Sequence, residues 1–364
     1  MAAVHNAGFG SLLCSIATDS SPTIRPALCN QLRDAVVNSD QGWAMEYTTL
    51  GKTGLKVSVA GLGCGGFSRL GLSAGRTEDE AALLVREAFD MGINFVDTAP
   101  IYGTEAIVGK ALKDVSRDSV IVATKGLVRR NGERQTPAQM VESLESSLRL
   151  LGTDYIDVFQ LHGVPILAYT YARDALIPSL IEQRAKGKIR HIGITELATE
   201  DDQHEMLSRA AYDGLWDVFM IAFHMMHQSA RKTIFPLTRE RQIGTLLMFA
   251  VRSIFAKPER VAVAMREAAA KGLVEKWLGQ TDEPLAFLIH EGGASDITEA
   301  AYRFVRHEPG VDVVLFGTGD AGHLRANIES LLKPPLPEAD RERLATLFGH
   351  LVGVGMDAPR MQGN

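Results

Sequence analysis

From Met45 onward, short apolar runs alternate with longer stretches in which apolar residues recur every three or four positions. The short runs are 59–63, 95–97, 120–124, 156–161, 191–194, 218–222, 245–249 and 311–316, and each has the length and β-branched content of a buried strand. Between them the pattern predicts helices over 78–91, 104–113, 137–151, 172–186, 201–212, 229–241, 282–291, 297–307, 322–332 and 338–348. Gly92, Gly152, Gly187 and Gly214 punctuate the ends, as glycine does where a helix turns left-handed. Strands apolar on both faces and separated by helices pair in parallel. Eight such units close most naturally into a (β/α)8 barrel with extra C-terminal helices. Ahead of them, 47–50 and 55–58 flank Gly51-Lys52-Thr53-Gly54 and predict a β-hairpin. An open doubly wound sheet is the alternative, but Gly61-Leu62-Gly63-Cys64-Gly65-Gly66 does not open a helix as a dinucleotide fingerprint would.

Residues 1–44 break the pattern. They are rich in Ser, Ala and Asn without a sustained period, and no Lys or Arg precedes Arg25, so a disordered extension is expected rather than a signal peptide. The barrel is expected over 45–350 and a short tail over 351–364.

Composition narrows the function classes. With 46% hydrophobic residues and a net charge of −6, the chain reads as a globular protein without a nucleic-acid footprint. Its longest apolar runs are too short to span a bilayer, so no membrane partner is expected. Cys14, Cys29 and Cys64 are scattered and odd in number, which fits a cytoplasmic setting and neither a disulfide framework nor a metal site. His224 and His227 stand three apart without an evident third ligand, so no metal is expected there either. Helix faces of a barrel can support an oligomer, but no long apolar stripe demands one.

Three consecutive strands end on an ionisable residue: Asp97, Lys125 and His162. Burying such groups without partners is costly, so their convergence at the C-terminal rim of a barrel marks a site. Tyr102 follows in the loop after Asp97. A tyrosine is a poor proton carrier near neutrality unless a cation lowers its pKa, a role Lys125 is suited to. Asp97 would pair with Lys125, and His162 would orient a substrate oxygen beside Tyr102. The set suits polarising a carbonyl, and a hydride donor would have to come from a cofactor.

The residues Leu50-Gly51-Lys52-Thr53-Gly54, Phe95-Val96-Asp97-Thr98-Ala99-Pro100-Ile101-Tyr102-Gly103, Ala123-Thr124-Lys125, Gln160-Leu161-His162 and Ile192-Gly193-Ile194-Thr195 follow one another as in the aldo-keto reductases, and the chain resembles that family from Tyr47 to Leu332. The resemblance implies an NAD(P)(H)-dependent oxidoreductase acting on a small carbonyl or alcohol such as an aldehyde, ketone or sugar. Its tetrad would be Tyr102 as acid/base, Lys125, Asp97 and His162. It implies cofactor contacts at Gly65, Thr195, Glu196, Met220, Met248, Gly317, Thr318, Gly319, His323 and Asn327. Several depart from the family pattern. Glu196 stands where Asn usually donates, Met220 and Met248 stand where Gln and an aromatic are usual, and Gly317 and His323 replace the cations that read a 2′-phosphate. NADP(H) and NAD(H) both stay open. Tyr169 and Tyr171 in the loop after the fourth strand, and His224 after the sixth, are candidate substrate contacts. A redox-neutral lyase or isomerase on the same barrel, or a nucleotide-binding regulatory module, are the alternative functions.

Overall fold

The computed structural model describes residues 43–356. All but the last two residues of the expected 1–44 extension, and residues 357–364 of the expected tail, lie outside the described residues. Strands β1 (Tyr47–Thr49) and β2 (Lys56–Ser58) form the antiparallel hairpin. Eight parallel strands then close a barrel in the order β3 (Ala60–Gly63), β4 (Phe95–Asp97), β5 (Ile121–Leu127), β8 (Ile156–Val164), β9 (Ile189–Glu196), β10 (Val218–Ala222), β11 (Gly244–Met248) and β12 (Val313–Phe316), with β12 pairing back onto β3. A small hairpin, β6 (Arg129–Arg130) with β7 (Glu133–Arg134), stands exposed beyond β5.

Period-two alternation sorts each strand into an inward and an outward set. The inward set has two levels. Phe95, Ile121, Ala123, Val158, Val218, Met220, Leu246, Val313 and Leu315 form one apolar cluster, joined by Leu50 and Val57 of the hairpin. The hairpin therefore plugs the lower mouth, and each fully buried aliphatic side chain there contributes roughly 1.5–3 kcal/mol. Two residues further along the strands the inward positions turn polar, with Asp97, Lys125, Gln160 and Thr195 all buried. The register places Lys125 beside Gln160 and Asp97 beside Ala123.

The helices start where the sequence supplies caps. Thr77 with Glu80 and Thr136 with Gln139 form capping boxes for Glu78–Asp90 and Pro137–Leu151. Four helical expectations change. The loop expected at 163–171 contains a helix, Ile166–Tyr171, which runs through a π turn at Ala172–Leu176 into Ile177–Ala185. Pro178 has no N–H to give the ladder, and the turn just before it widens. The 229–241 helix is broken in two at Ile234, just ahead of Pro236. The 282–291 segment holds only a 3-10 turn at Ala286–Leu288, between Pro284 and Gly292-Gly293. The pattern also missed a helix over Pro258–Ala270 after β11, although proline stands at its first position.

Candidate active site

Lys125 lies fully buried on β5, with its Nζ donating to Asp97 Oδ2 at 2.6 Å and to the Thr98 carbonyl at 2.9 Å. Gln160 Nε2 donates to the other Asp97 oxygen at 3.1 Å. Both carboxylate oxygens are thus satisfied, which is the condition under which a buried ion pair is tolerated. Burial pushes the Asp97 carboxyl up despite the pull of Lys125 and Gln160. Burial also works against the Lys125 charge, but Asp97 and Tyr102 outweigh it and the ammonium pKa is raised. Lys125 is therefore a fixed cation at the bottom of the mouth.

Tyr102 is presented by a 3-10 turn, Pro100–Tyr102, that begins three residues after Asp97 and is closed by Gly103 at φ 66°. Thr98 and Thr104 hydroxyls bond at 2.9 Å beneath the turn. The Lys125 Nζ stands 4.9 Å from the centre of the Tyr102 ring. Burial raises the phenol pKa above its ordinary value, and Lys125 offsets part of that rise. The cation pulls in the direction expected of it, but desolvation is the larger effect and keeps Tyr102 protonated. His162 Nε2 lies 3.3 Å from the Tyr102 hydroxyl, with the two rings at right angles. Burial, with Lys125 nearby, depresses the His162 pKa to about 3, so the ring is neutral. Its Nδ1 is buried without a hydrogen-bond partner. A β8 irregularity between Leu161 and Val164, with Gly163 at φ 56°, aims the ring at Tyr102. The four residues singled out in the sequence therefore converge.

On the other side of the mouth, Thr195 Oγ1 accepts from the Gly163 N–H at 2.6 Å. Glu196 is fully occupied within the protein. One carboxylate oxygen accepts from the Ala222 N–H at 2.7 Å and the other meets His204 Nδ1 at 2.7 Å. His204 Nε2 meets Ser229 Oγ at 2.8 Å, and Ser229 donates on to the Asp202 carbonyl at 3.1 Å. Burial disfavours the His204 cation, but Glu196 and the nearby Asp201 and Asp202 raise its pKa. Met220 belongs to the apolar interior. Met248 packs with Phe249, Ala198, Ala222 and Met356, so the described end of the chain reaches the rim.

The loops after β3 and β12 touch closely. A Cβ on Gly317 would lie 3.3 Å from the Gly63 carbonyl oxygen, and one on Gly319 only 2.4 Å from Gly71 Cα. Thr318 is buried, and Asp320 caps the helix Ala321–Leu332 by accepting the His323 N–H at 2.9 Å. His323 is exposed in the first turn of that helix, and Asn327 is half-buried midway along it. A glycine turn feeding a long helix N-terminus is an arrangement that suits a phosphate. Gly65 backs onto Tyr102, where a Cβ would come within 2.7 Å of the ring.

Of the three aromatic and histidine candidates for substrate contact, Tyr169 and Tyr171 are hydrogen-bonded within the protein, whereas His224 keeps a buried Nε2 without a partner. Tyr169 is buried, donates to Asp213 and accepts from Trp216 Nε1 at 3.1 Å. Tyr171 donates to the Gln135 carbonyl at 2.8 Å beneath Arg134. His224 is buried against the Phe255 edge, with Nδ1 accepting from the Met226 N–H at 3.2 Å. Among the described residues no three or more His, Cys, Asp or Glu side chains are placed to hold a metal, and no helix is long and apolar enough to cross a membrane. Gln160 and His204 were not among the sequence candidates. Gln160 stands two positions before His162, so alternation puts both on one face; nothing local marked His204.

A family model described as the aldo/keto reductase family matches residues 61–347. The chain is 29% identical over 308 residues to aldo-keto reductase YhdN of Bacillus subtilis, covering 78% of this chain and 87% of that one. It is 35% identical over 209 residues to L-galactose dehydrogenase of Arabidopsis thaliana, covering 56% of this chain and 64% of that protein. Among solved structures it resembles aldo-keto reductase AKR11C1 from Bacillus halodurans at a TM-score of 0.60 and 24% identity, over 84% of this chain and 96% of that one. The chain belongs to the aldo/keto reductase family, and that membership supports NAD(P)-dependent oxidoreductase activity.

Proposed function

We propose that this chain catalyses reversible hydride transfer between a nicotinamide cofactor and a small carbonyl or alcohol, with Tyr102 as the general acid/base. The observation that carries the reading is the buried convergence of Tyr102, His162, Lys125 and Asp97 at one end of the barrel. When bound, the cofactor supplies or accepts the hydride. Residues that would hold it are Gly317, Thr318, Gly319, His323 and Asn327 at the phosphate end and Thr195, Met220 and Met248 at the nicotinamide end. Glu196 supports that end indirectly, through Ala222 and His204.

The protein's own part in carbonyl reduction is proton delivery. The protonated Tyr102 hydroxyl and the neutral His162 Nε2–H both offer hydrogen bonds to a carbonyl oxygen, which gains negative charge as its carbon is reduced. Tyr102 then gives up its proton to that oxygen, and Lys125 stabilises the phenolate left behind. In oxidation the same proton returns to Tyr102. The Nε2–H tautomer leaves His162 Nδ1 as a bare acceptor rather than a stranded donor, the cheaper of the two ways to leave it without a partner. We place this activity in residues 45–350 and in a cytoplasmic setting, and the relationship to L-galactose dehydrogenase puts aldose sugars among the first substrates to test.

The test is a parallel titration with NADPH and NADH, followed by tryptophan fluorescence, and then turnover with 4-nitrobenzaldehyde and a panel of aldoses. Tyr102→Phe should lower turnover by about a hundred- to ten-thousand-fold while nucleotide affinity holds. Preference for NADH would fit Gly317 and His323 at the phosphate end; preference for NADPH would assign the 2′-phosphate to other cations. Failure to bind either nucleotide would overturn the proposal.

A further inference from the structure

The loop between β3 and the helix Glu78–Asp90 carries two successive non-glycine residues with positive φ, a pairing found nowhere else among the described residues. Arg69 and Leu70 both have positive φ, 46° and 58°, and neither is glycine. Such conformations persist in L-residues only where the surroundings over-determine them, and they gather at functional sites. Here the surroundings do over-determine them. Leu70 is completely buried in the main core. Ser68 O accepts from the N–H groups of Gly71 at 2.8 Å and Ser73 at 3.3 Å. Gly71 lies so close to Gly319 that a Cβ on Gly319 would fall 2.4 Å from Gly71 Cα, while a Cβ on Gly71 would fall 2.4 Å from Arg76 Cδ.

What the strained turn presents is the Arg69 side chain, and it points at Tyr102. Arg69 Nε donates to the Tyr102 carbonyl at 2.7 Å, and its Nη2 lies 2.8 Å from where a Cβ of Gly103 would be. The guanidinium therefore lies against the Tyr102-Gly103 peptide. Four residues earlier in the same loop, Gly65 lies directly against the Tyr102 ring, where a Cβ would be 2.7 Å from Cδ2 and Cε2. One loop thus contacts both the backbone and the ring of Tyr102. On the far side the hydroxyl meets His162.

We propose that Arg69 is a positioning residue for Tyr102, its guanidinium fixing the 3-10 turn that sets the hydroxyl against His162. This rests on Tyr102 being the acid/base of the proposed reaction. The same loop abuts Gly319 of the β12 turn, so the element that orients the acid also touches the turn assigned to the cofactor phosphate. Arg69 acts through geometry, since it bonds the carbonyl rather than the hydroxyl. Small displacements of a reacting group are expensive in rate, and about a tenfold to hundredfold loss is expected when the tether is cut.

The test uses full-length protein loaded with whichever nucleotide it binds, mixed with 4-nitrobenzaldehyde under single-turnover conditions. Arg69→Ala should slow hydride transfer about tenfold to a hundredfold and enlarge the solvent deuterium isotope effect, with nucleotide affinity within about twofold of wild type. Arg69→Lys, which keeps a charged donor, should recover most of the rate. Should Arg69→Ala fail to fold, Arg69→Gln compared with Arg69→Lys carries the same contrast. A wild-type rate in Arg69→Ala, or loss of rate in step with loss of nucleotide affinity, overturns the inference, the latter by making the loop a cofactor clamp. Equal slowness of Arg69→Lys and Arg69→Ala also overturns it. Wild-type protein that binds nucleotide but turns over no carbonyl or alcohol overturns instead the reaction on which it rests.

Discussion

The two sides of the barrel mouth are comparably buried but treat their polar groups in opposite ways. On the β4, β5 and β8 side, Asp97 and the Thr98 carbonyl satisfy Lys125 and Gln160 satisfies Asp97, while Tyr102 and His162 keep hydrogen-bonding capacity to spare. On the β9, β10 and β11 side, Glu196, His204, Ser229 and the Ala222 N–H close a network among themselves. The first arrangement leaves hydrogen-bonding atoms of Tyr102 and His162 for something other than the protein. The second holds the ends of β9 and β10 together. Polar character alone therefore does not mark a candidate functional side chain; what separates Tyr102 and His162 from Glu196 and His204 is whether their hydrogen bonds end inside the protein.

Breaking each network should expose the difference. Lys125→Met leaves Asp97 as a buried carboxylate without its cation, and a loss of about 3–5 kcal/mol is expected in urea unfolding. Adding Asp97→Asn should restore most of that stability and none of the turnover. If the single variant were as stable as wild type, the ion pair would not be what holds this side together.

Removing Glu196 strands the Ala222 N–H and His204, so Glu196→Ala should cost about 1–3 kcal/mol. Glu196→Gln keeps an acceptor for Ala222 and should lose less. Both should leave nucleotide affinity nearly unchanged; a large loss of affinity would mean that the carboxylate itself reaches the cofactor.

Acid should sharpen the comparison further. Burial depresses His162 and His227 to about 3, so between pH 6.5 and 3 the unfolded chain binds protons that the folded protein refuses. Stability then falls as pH drops through that window, by on the order of 1–2 kcal/mol per histidine near pH 5. His204 works the other way. Its folded pKa is raised, so its contribution is full below the unfolded value and fades as pH rises through the folded one. Melting temperatures from pH 7 to 4 should decline, and His227→Gln should flatten the decline. An unchanged slope would mean that His227 is not held neutral by its burial.

The barrel and the convergence of Asp97, Tyr102, Lys125 and His162 are legible in the sequence because each rests on short-range pattern. Alternation fixes which residues of a strand face inward, and a charge at the end of an apolar strand is conspicuous. The apolar and aromatic residues of 163–171 lack helical polarity and suggest a loop, yet the segment coils into Ile166–Tyr171 and buries Tyr169 against Trp216. Nothing local to Glu196 reveals its partner His204, eight residues on in a left-handed conformation.

By itself, the order of apolar and polar residues determined the eight strands, their direction, the plugging hairpin and the rim positions of Asp97, Lys125, His162 and Tyr102. These follow from periodicities of two and 3.6 residues, which operate over a few neighbours. Only the tertiary structure decided which polar atoms were already spoken for: that Glu196 belongs to His204, Tyr169 to Asp213 and Trp216, and the Tyr102 carbonyl to Arg69. Those pairings join residues distant in the chain, and hydrogen-bond partnership depends on where the chain returns, which no local pattern encodes.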